Sequence, residues 1–285
     1  MALIDFLLNL AGLLLWLNWR AVRFEVPPQT TSGSISGLLK PAEPHLAHGW
    51  PLLIALLGVI GLRAILYFEL GSAVDWTPKL GLGVVVLAFR CDRFGPVALF
   101  SLLGFLRVLL IFYFWLVVLG LLDHGAVEIS NVRRTVRVQL GRWAGWSWWI
   151  QLTVPLLLTV ALWVVLHPLL VQLGTVSATR SFVRLTAQGL VVSGGLILSL
   201  KYLLPPWLLL YLLSSYVYLG ESPMWSFLSQ TSQRLMLPLK KLPLQLGRLD
   251  LAPLVGAVLL MGLLHWLPNL TLKRLAQQNL TLWPE

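Results

Sequence analysis

The chain has 285 residues, of which 58% are hydrophobic and 11% are charged, whereas soluble domains are about 25% charged. This composition excludes a soluble globular enzyme, because too little polar material is present to cover its surface, and a disordered chain, which would be polar. The single cysteine, Cys91, excludes an intramolecular disulfide and a multi-cysteine metal site. The remaining class is a helical membrane protein.

Six segments are candidate transmembrane helices, which need about 20 mostly apolar residues. The first, 2–17, is marginal because Asp5 and Asn9 interrupt it. It lacks the basic leader and cleavage site of a signal peptide, so we expect an uncleaved span. The others are 50–70, 97–122, 149–173, 188–219 and 251–267. The expected fold class is therefore all-α, with five to six transmembrane helices.

Two glycine-containing apolar segments are expected to pack closely on protein. Residues 80–89 are too short to span a membrane, are rich in valine and carry Gly81 and Gly83 near their start. We expect an extended or re-entrant segment covered by protein, because irregular backbone cannot face lipid. In the fifth span, Gly194 and Gly195 permit close helix approach.

The lysines and arginines predict the orientation of the spans. Eleven lie in 18–49, 123–148 and 220–250, on one side, and seven lie on the other side. This bias predicts that the two long basic loops are cytoplasmic and both termini are outside. The basic side chains of these loops are candidates for binding the membrane surface or a partner: Arg133, Arg134, Arg137, Arg142, Lys240, Lys241 and Arg248.

An internal repeat is visible in the sequence. The tetrapeptide Gln-Leu-Gly-Arg occurs at 139–142 and again at 245–248, and a proline and a histidine twelve residues apart follow each copy, at 155 and 167 and at 253 and 265. This pattern predicts two parallel helix–amphipathic loop–helix repeats. The predicted regions are an N-terminal membrane region with two spans and an outer loop at 1–95, a degenerate first repeat at 96–173, a second repeat at 187–268 and a short C-terminal tail at 269–285.

The second loop predicts an amphipathic helix. Ser222 is a good N-cap and Pro223 suits the first helical position. Its predicted buried face has residues at helical spacing, namely Met224, Phe227, Leu228, Thr231 and Leu235. Such a helix beside two spans should lie in the interface plane. Pro238 should end it, and Asp250 should cap the last span. The lysines at 240 and 241 either meet anionic headgroups, at about 1 kcal/mol each, or only set the topology.

The second loop also resembles the YggT family signature. That family shows a Pro, a basic pair, a second Pro, then a Gly and an Asp-x-small-Pro that opens the next span. The matching positions here are Pro223, Pro238, Lys240, Lys241, Pro243, Gly247, Asp250 and Pro253. The resemblance covers 211–264 well and 97–170 weakly, since the first copy lacks both prolines beside its basic pair and has Leu152 in place of the Asp; residues 1–95 do not match.

The resemblance implies a multi-pass protein of the bacterial inner membrane. Members have been linked to osmotic tolerance and ion uptake, to division or nucleoid organisation, and to cytochrome assembly. We therefore expect a non-enzymatic scaffold or assembly factor that acts through 238–253, with the bilayer and its anionic headgroups, a membrane protein or a second copy as partner. The alternative is a solute or ion transporter used in osmotic stress.

Three cations lie inside predicted spans: Arg63, Arg107 and Lys201. A mid-span ionisable residue is a functional candidate by default, but snorkelling or bonds to backbone carbonyls would also accommodate it. No acidic residue lies mid-span to pair with them, since Asp5 and Glu69 are near span ends. The absence of mid-span acidic residues argues against a proton relay, and unpaired cations argue against a cation-selective pore.

No cofactor, metal site or catalytic residue is expected. His167 and His265 occupy matching positions where a pair could hold haem or a metal, but interfacial histidines at helix ends are the simpler interpretation. The chain has no phosphate-binding glycine loop or hydrolase motif. Its basic charge follows the membrane loops, so nucleic acid is not an expected partner. A transporter path would have only Ser, Thr, Gly and lone cations to line it.

Overall fold

A computed structural model gives the fold of the chain. It describes residues 2–24, 49–74, 77–123, 139–179, 181–217, 223–237, 239, 245–246 and 249–277. Within these ranges, six helical segments are long and apolar enough to cross a membrane, which is the pattern of a multi-pass membrane protein. They are Leu3–Val22, Trp50–Gly71, Phe94–Leu122, Trp148–Gln172, Phe182–Tyr216 and Ala252–Thr271.

The six segments match the predicted spans to within four residues at each end, except the first and the fifth. The fifth begins at Phe182, six residues before its predicted start, and the helix of the first is seven residues longer than 2–17. The extension of the first through Trp19 and Val22 brings it to spanning length. The helices are α1 (Ala2–Phe24), α2 (Trp50–Val74), α3 (Phe94–Leu122), α4 (Trp148–Gln172), α5 (Phe182–Ser199), α6 (Leu204–Tyr216), α7 (Pro223–Leu235) and α8 (Ala252–Gln277). Short 3-10 turns occupy Gly141–Gly145 and Leu200–Tyr202.

The fifth predicted span is broken into α5 and α6. Pro205 and Pro206 lack the N–H groups that would continue the helical ladder, and they are accommodated where such groups have no helical partner, in the first turn of α6. The chain crosses the break as a single 3-10 turn that contains Lys201. A backbone discontinuity therefore lies between the two halves of this span.

The chain divides into two compact units. Unit 1 is Met1–Pro78 with Arg90–Val108, and unit 2 is Lys79–Phe89 with Leu109–Glu285. In unit 1, α1 packs along α2, and the rings of Tyr67 and Phe100 meet edge to face at 5.7 Å. In unit 2, α4 packs along α5 and α6 along α8, where Leu208, Met236 and Ala257 form a buried cluster.

Residues 79–88 form a small antiparallel hairpin. Strand β1 (Lys79–Gly81) pairs with β2 (Val86–Ala88), with Leu80 opposite Leu87. Val85 and Phe89 are completely buried. The prediction of an extended segment packed on protein is confirmed, and the contact explains the glycines. A Cβ atom on Gly195 of α5 would collide with the Leu82 carbonyl, and Gly83, at φ +93°, touches the Gly195 backbone. The element that lies close to Gly195 is thus a hairpin tip, whereas the sequence predicted the close approach of another helix.

The two copies of the predicted repeat differ in local structure. Gln139 and Leu140 are helical, whereas Gln245 and Leu246 form β3, which pairs with β4 (Leu249–Asp250). The prolines at 155 and 253 lie in α4 and α8 and are both buried. The tetrapeptide identity is therefore not matched by the backbone, and the parallel repeats and their domain bounds stay predictions.

Candidate functional site

The best-defined polar site in the described residues surrounds Arg63, in the middle of α2. Its side chain is 5% exposed, and its Nη2 atom lies 2.8 Å from Oδ1 of Asp5 in α1. Its Nη1 donates a hydrogen bond to Oδ1 of Asn9 at 2.8 Å. Because Asp5 and Asn9 are four residues apart, they share one face of α1. Two polar residues of α1 thus bind one cation of α2.

Aromatic rings and a glycine complete the surroundings of Arg63. Its Cζ lies 5.1 Å from the ring centroid of Phe100 and 5.8 Å from that of Tyr67, within cation–π range. A Cβ atom on Gly104 of α3 would come within 2.8 Å of the guanidinium. The first half of α3 therefore provides the Phe100 ring beside the guanidinium, and Gly104 leaves the space that the guanidinium occupies.

This geometry corrects the expectation that Arg63 snorkels or bonds only to backbone carbonyls. The expectation assumed that an acid near a span end could not reach a mid-span arginine. The long arginine side chain and the antiparallel packing of α1 on α2 bring the charges together. The sequence did contain an indication, because the two residues that make α1 a marginal span have the i,i+4 spacing of a single face.

The Arg63 site neutralises a charge and joins helices, and its groups suit that role better than catalysis. A guanidinium stays protonated in proteins and cannot exchange a proton. Removing one member of a buried ion pair costs about 3–5 kcal/mol, because the other charge remains uncompensated. We therefore assign this site a structural role within unit 1.

The other two intramembrane cations have different surroundings. Lys201 lies in the 3-10 turn between α5 and α6, half-buried, and its ammonium stands 4.9 Å from the ring centroid of its neighbour Tyr202. Arg107 is half-buried in α3. Arg107 and Lys201 therefore occupy different settings.

The predicted amphipathic helix is α7, which begins at Pro223 as expected and ends before Pro238. Its buried face includes Phe227, Leu228 and Thr231, while Met224, which was predicted on the same face, is 50% exposed. The indole Nε1 of Trp207 in α6 donates to Thr231 Oγ1 at 2.9 Å, and the Trp207 and Phe227 rings meet edge to face. This contact attaches α7 to α6.

Most of the predicted surface-binding residues lie outside what the structure describes. This holds for Arg133, Arg134, Arg137, Lys240, Lys241, Arg248, Pro238, Pro243 and Gly247, and for the side chains of Arg142, Pro223 and Asp250. Pro253 is described and is buried near the start of α8. The first turn of α8, which begins at Ala252, closes on the Leu251 carbonyl, so the N-cap position belongs to Leu251 and not to the predicted Asp250.

The two matched histidines are not equivalent. His167 is 5% exposed, on the face of α4 that packs along α5, whereas His265 is exposed on α8. His167 is thus covered by protein near the end of α4, whereas His265 is not covered. Gln151, Thr159 and Trp163 of α4 are also buried. Among the described residues, no three His, Cys, Asp or Glu side chains converge as a metal site.

The only cysteine in the sequence, Cys91, is buried just before α3. Burial raises the pKa of its thiol, and the neighbouring Asp92 charge acts in the same direction. A thiol in this setting is a poor nucleophile, because the thiolate is the reactive form.

Comparison with known proteins adds no assignment to this geometry. No family model, curated protein or solved structure matches the chain.

Proposed function

We propose that this chain is a non-enzymatic, YggT-type protein of the bacterial inner membrane that acts as a scaffold or assembly factor. The observation that carries the proposal is α7, a short helix fixed to α6 by the Trp207–Thr231 hydrogen bond. Its opposite side exposes Ser226 and Gln233. A rigidly mounted polar helix face is suited to binding a partner, since little ordering entropy is lost on binding.

Sequence next to α7 supplies the charge that such a surface needs. The basic pair Lys240 and Lys241 follows α7, and the YggT-like residues continue to Pro253. Anionic headgroups attract such lysines by about 1 kcal/mol each. We propose that this segment faces the cytoplasm and meets the bilayer surface together with a membrane-protein partner or a second copy of the chain.

A crosslinked pull-down in mild detergent tests the proposal. The test variant carries Lys240→Glu and Lys241→Glu, and the matched control carries Lys273→Glu and Arg274→Glu, an equal charge change on the predicted opposite side. The proposal expects a defined membrane complex with wild type and control but not with the test variant. Recovery of the chain alone in all three samples would overturn it.

A transporter is the second candidate, because α4 buries more polar side chains than the sequence suggested. Gln151, Thr159 and His167 are buried along α4, and His167 lies on the side that packs along α5. The sequence predicted that only small residues and lone cations could line a transport path. Osmotic-shock solute flux in proteoliposomes tests this candidate, and flux equal to that of empty liposomes would reject it.

A further inference from the structure

Three buried polar atoms on α4 and α5 have no hydrogen-bond partner in the described part of unit 2. They are Nε1 of Trp163, Nε2 of His167 and Oε1 of Gln188. The three residues are 4%, 5% and 1% exposed. An unsatisfied buried polar atom costs about 1–3 kcal/mol, so each of these three atoms favours a hydrogen-bonding partner from outside the two helices.

The packing register places these atoms at similar depths in the hairpin. A Cβ atom on Gly189 would lie 3.3 Å from the Val160 Cα, so these two positions are opposite each other on antiparallel helices. Trp163 and His167 then lie one and two turns from that level toward the α4–α5 connection. The amide of Gln188 extends the same way, since its Nε2 reaches Thr179 Oγ1 at 3.3 Å.

The chemistry of the three atoms is complementary to one small neutral molecule. The indole N–H is a donor only, the amide oxygen is an acceptor, and a neutral imidazole accepts at Nε2 when its proton is on Nδ1. A water molecule can accept from Trp163 and donate to both His167 and Gln188. Three hydrogen bonds are also the usual number for a buried water.

We propose that the α4–α5 hairpin holds a bound water molecule between Trp163, His167 and Gln188. The site is distinct from the Arg63 site and independent of the proposed scaffold role. It makes the outer half of this hairpin a hydrated position at membrane depth. His167 is the ring that completes the site, which explains why it is buried when His265 is exposed.

Radiolytic hydroxyl-radical labelling of the purified full chain, read by mass spectrometry, tests the site. Radicals form from water where it is bound, so a buried side chain beside a bound water is oxidised and a dry one is not. We expect oxidation of Trp163 and His167. The internal control is Met236, an oxidisable side chain that is 2% exposed in an apolar cluster, and which should be oxidised less.

A volume-conserving double variant, His167→Phe with Gln188→Leu, should abolish the labelling of Trp163 and leave that of Met236 unchanged. Absence of labelling at Trp163 and His167 in the wild-type protein would overturn the proposal, and this arm needs no variant to fold. A stoichiometric transition metal in the same preparation, found by elemental analysis and lost in the double variant, would overturn it in favour of metal binding through His167.

Discussion

The contact between the hairpin tip and α5 leads to a sharp prediction, because neighbouring glycines differ in their surroundings. A Cβ atom on Gly195 would collide with the carbonyl of Leu82 and lie 2.9 Å from its carbonyl carbon, whereas a Cβ atom on Gly194 meets nothing within 4 Å. Both neighbours of Gly195 at this point are backbone, which cannot rotate away as a side chain would. Gly195→Ala should therefore displace the hairpin, and Gly194→Ala should not.

The pair of variants isolates the size of the clash. Both replacements gain the same helix propensity, about 1 kcal/mol for Gly to Ala, so this term cancels between them. Overpacking costs about 1–3 kcal/mol, which is about a 5- to 140-fold change in an equilibrium constant at tenfold per 1.4 kcal/mol. Gly195→Ala should be less stable than Gly194→Ala by this amount.

Hydrogen–deuterium exchange of the peptide covering 79–89 is the local assay, with SDS-titration unfolding as the global one. We expect faster exchange of these amides in Gly195→Ala and wild-type exchange in Gly194→Ala. Gly83→Ala should resemble Gly195→Ala, because Gly83 has a positive φ that other residues rarely adopt. Equal exchange in the two α5 variants would refute the packing argument.

Three further predictions concern other parts of the molecule. Asp5→Ala should destabilise unit 1 by about 3–5 kcal/mol in SDS titration, since it leaves Arg63 buried without its counter-charge; an unchanged midpoint would contradict the ion pair. Thr231→Val should cost about 1–3 kcal/mol by removing the acceptor of Trp207 Nε1, and limited proteolysis should then cut α7 faster than in wild type. Cys91 has a raised thiol pKa, so native maleimide labelling should be slow at neutral pH and should accelerate only well above the usual thiol pKa range. The folded state should lose stability as pH rises through the usual thiol pKa range. Fast labelling at neutral pH would contradict the raised pKa.

The spans were predictable because a membrane helix depends on length and apolar composition, which are properties of the sequence alone. Four spans were placed to within four residues at each end, as for α2, predicted at 50–70 and observed as Trp50–Gly71. The hairpin at 80–89 was also predicted, since a short valine-rich run cannot span and cannot leave its backbone in lipid.

The contacts between helices were harder to predict, because they depend on register and side-chain reach. The ion pair of Arg63 with Asp5 joins residues that are 58 positions apart in the chain, and depth in a single span gave no indication that they would meet. Similarly, the burial of His167 follows from which face of α4 packs along α5. Near-uniform apolar composition around a span conceals that face from periodicity analysis.

The Arg63 site also has a consequence for biogenesis. α1 is made before α2 and is the least hydropathic of the six described spans. The residues that weaken its partition into lipid are those that later neutralise Arg63 in α2. Neither helix is fully compensated by itself, so we expect their stable release from the translocon into the bilayer to be a joint event. In such an insertion unit, α2 completes the membrane integration of α1.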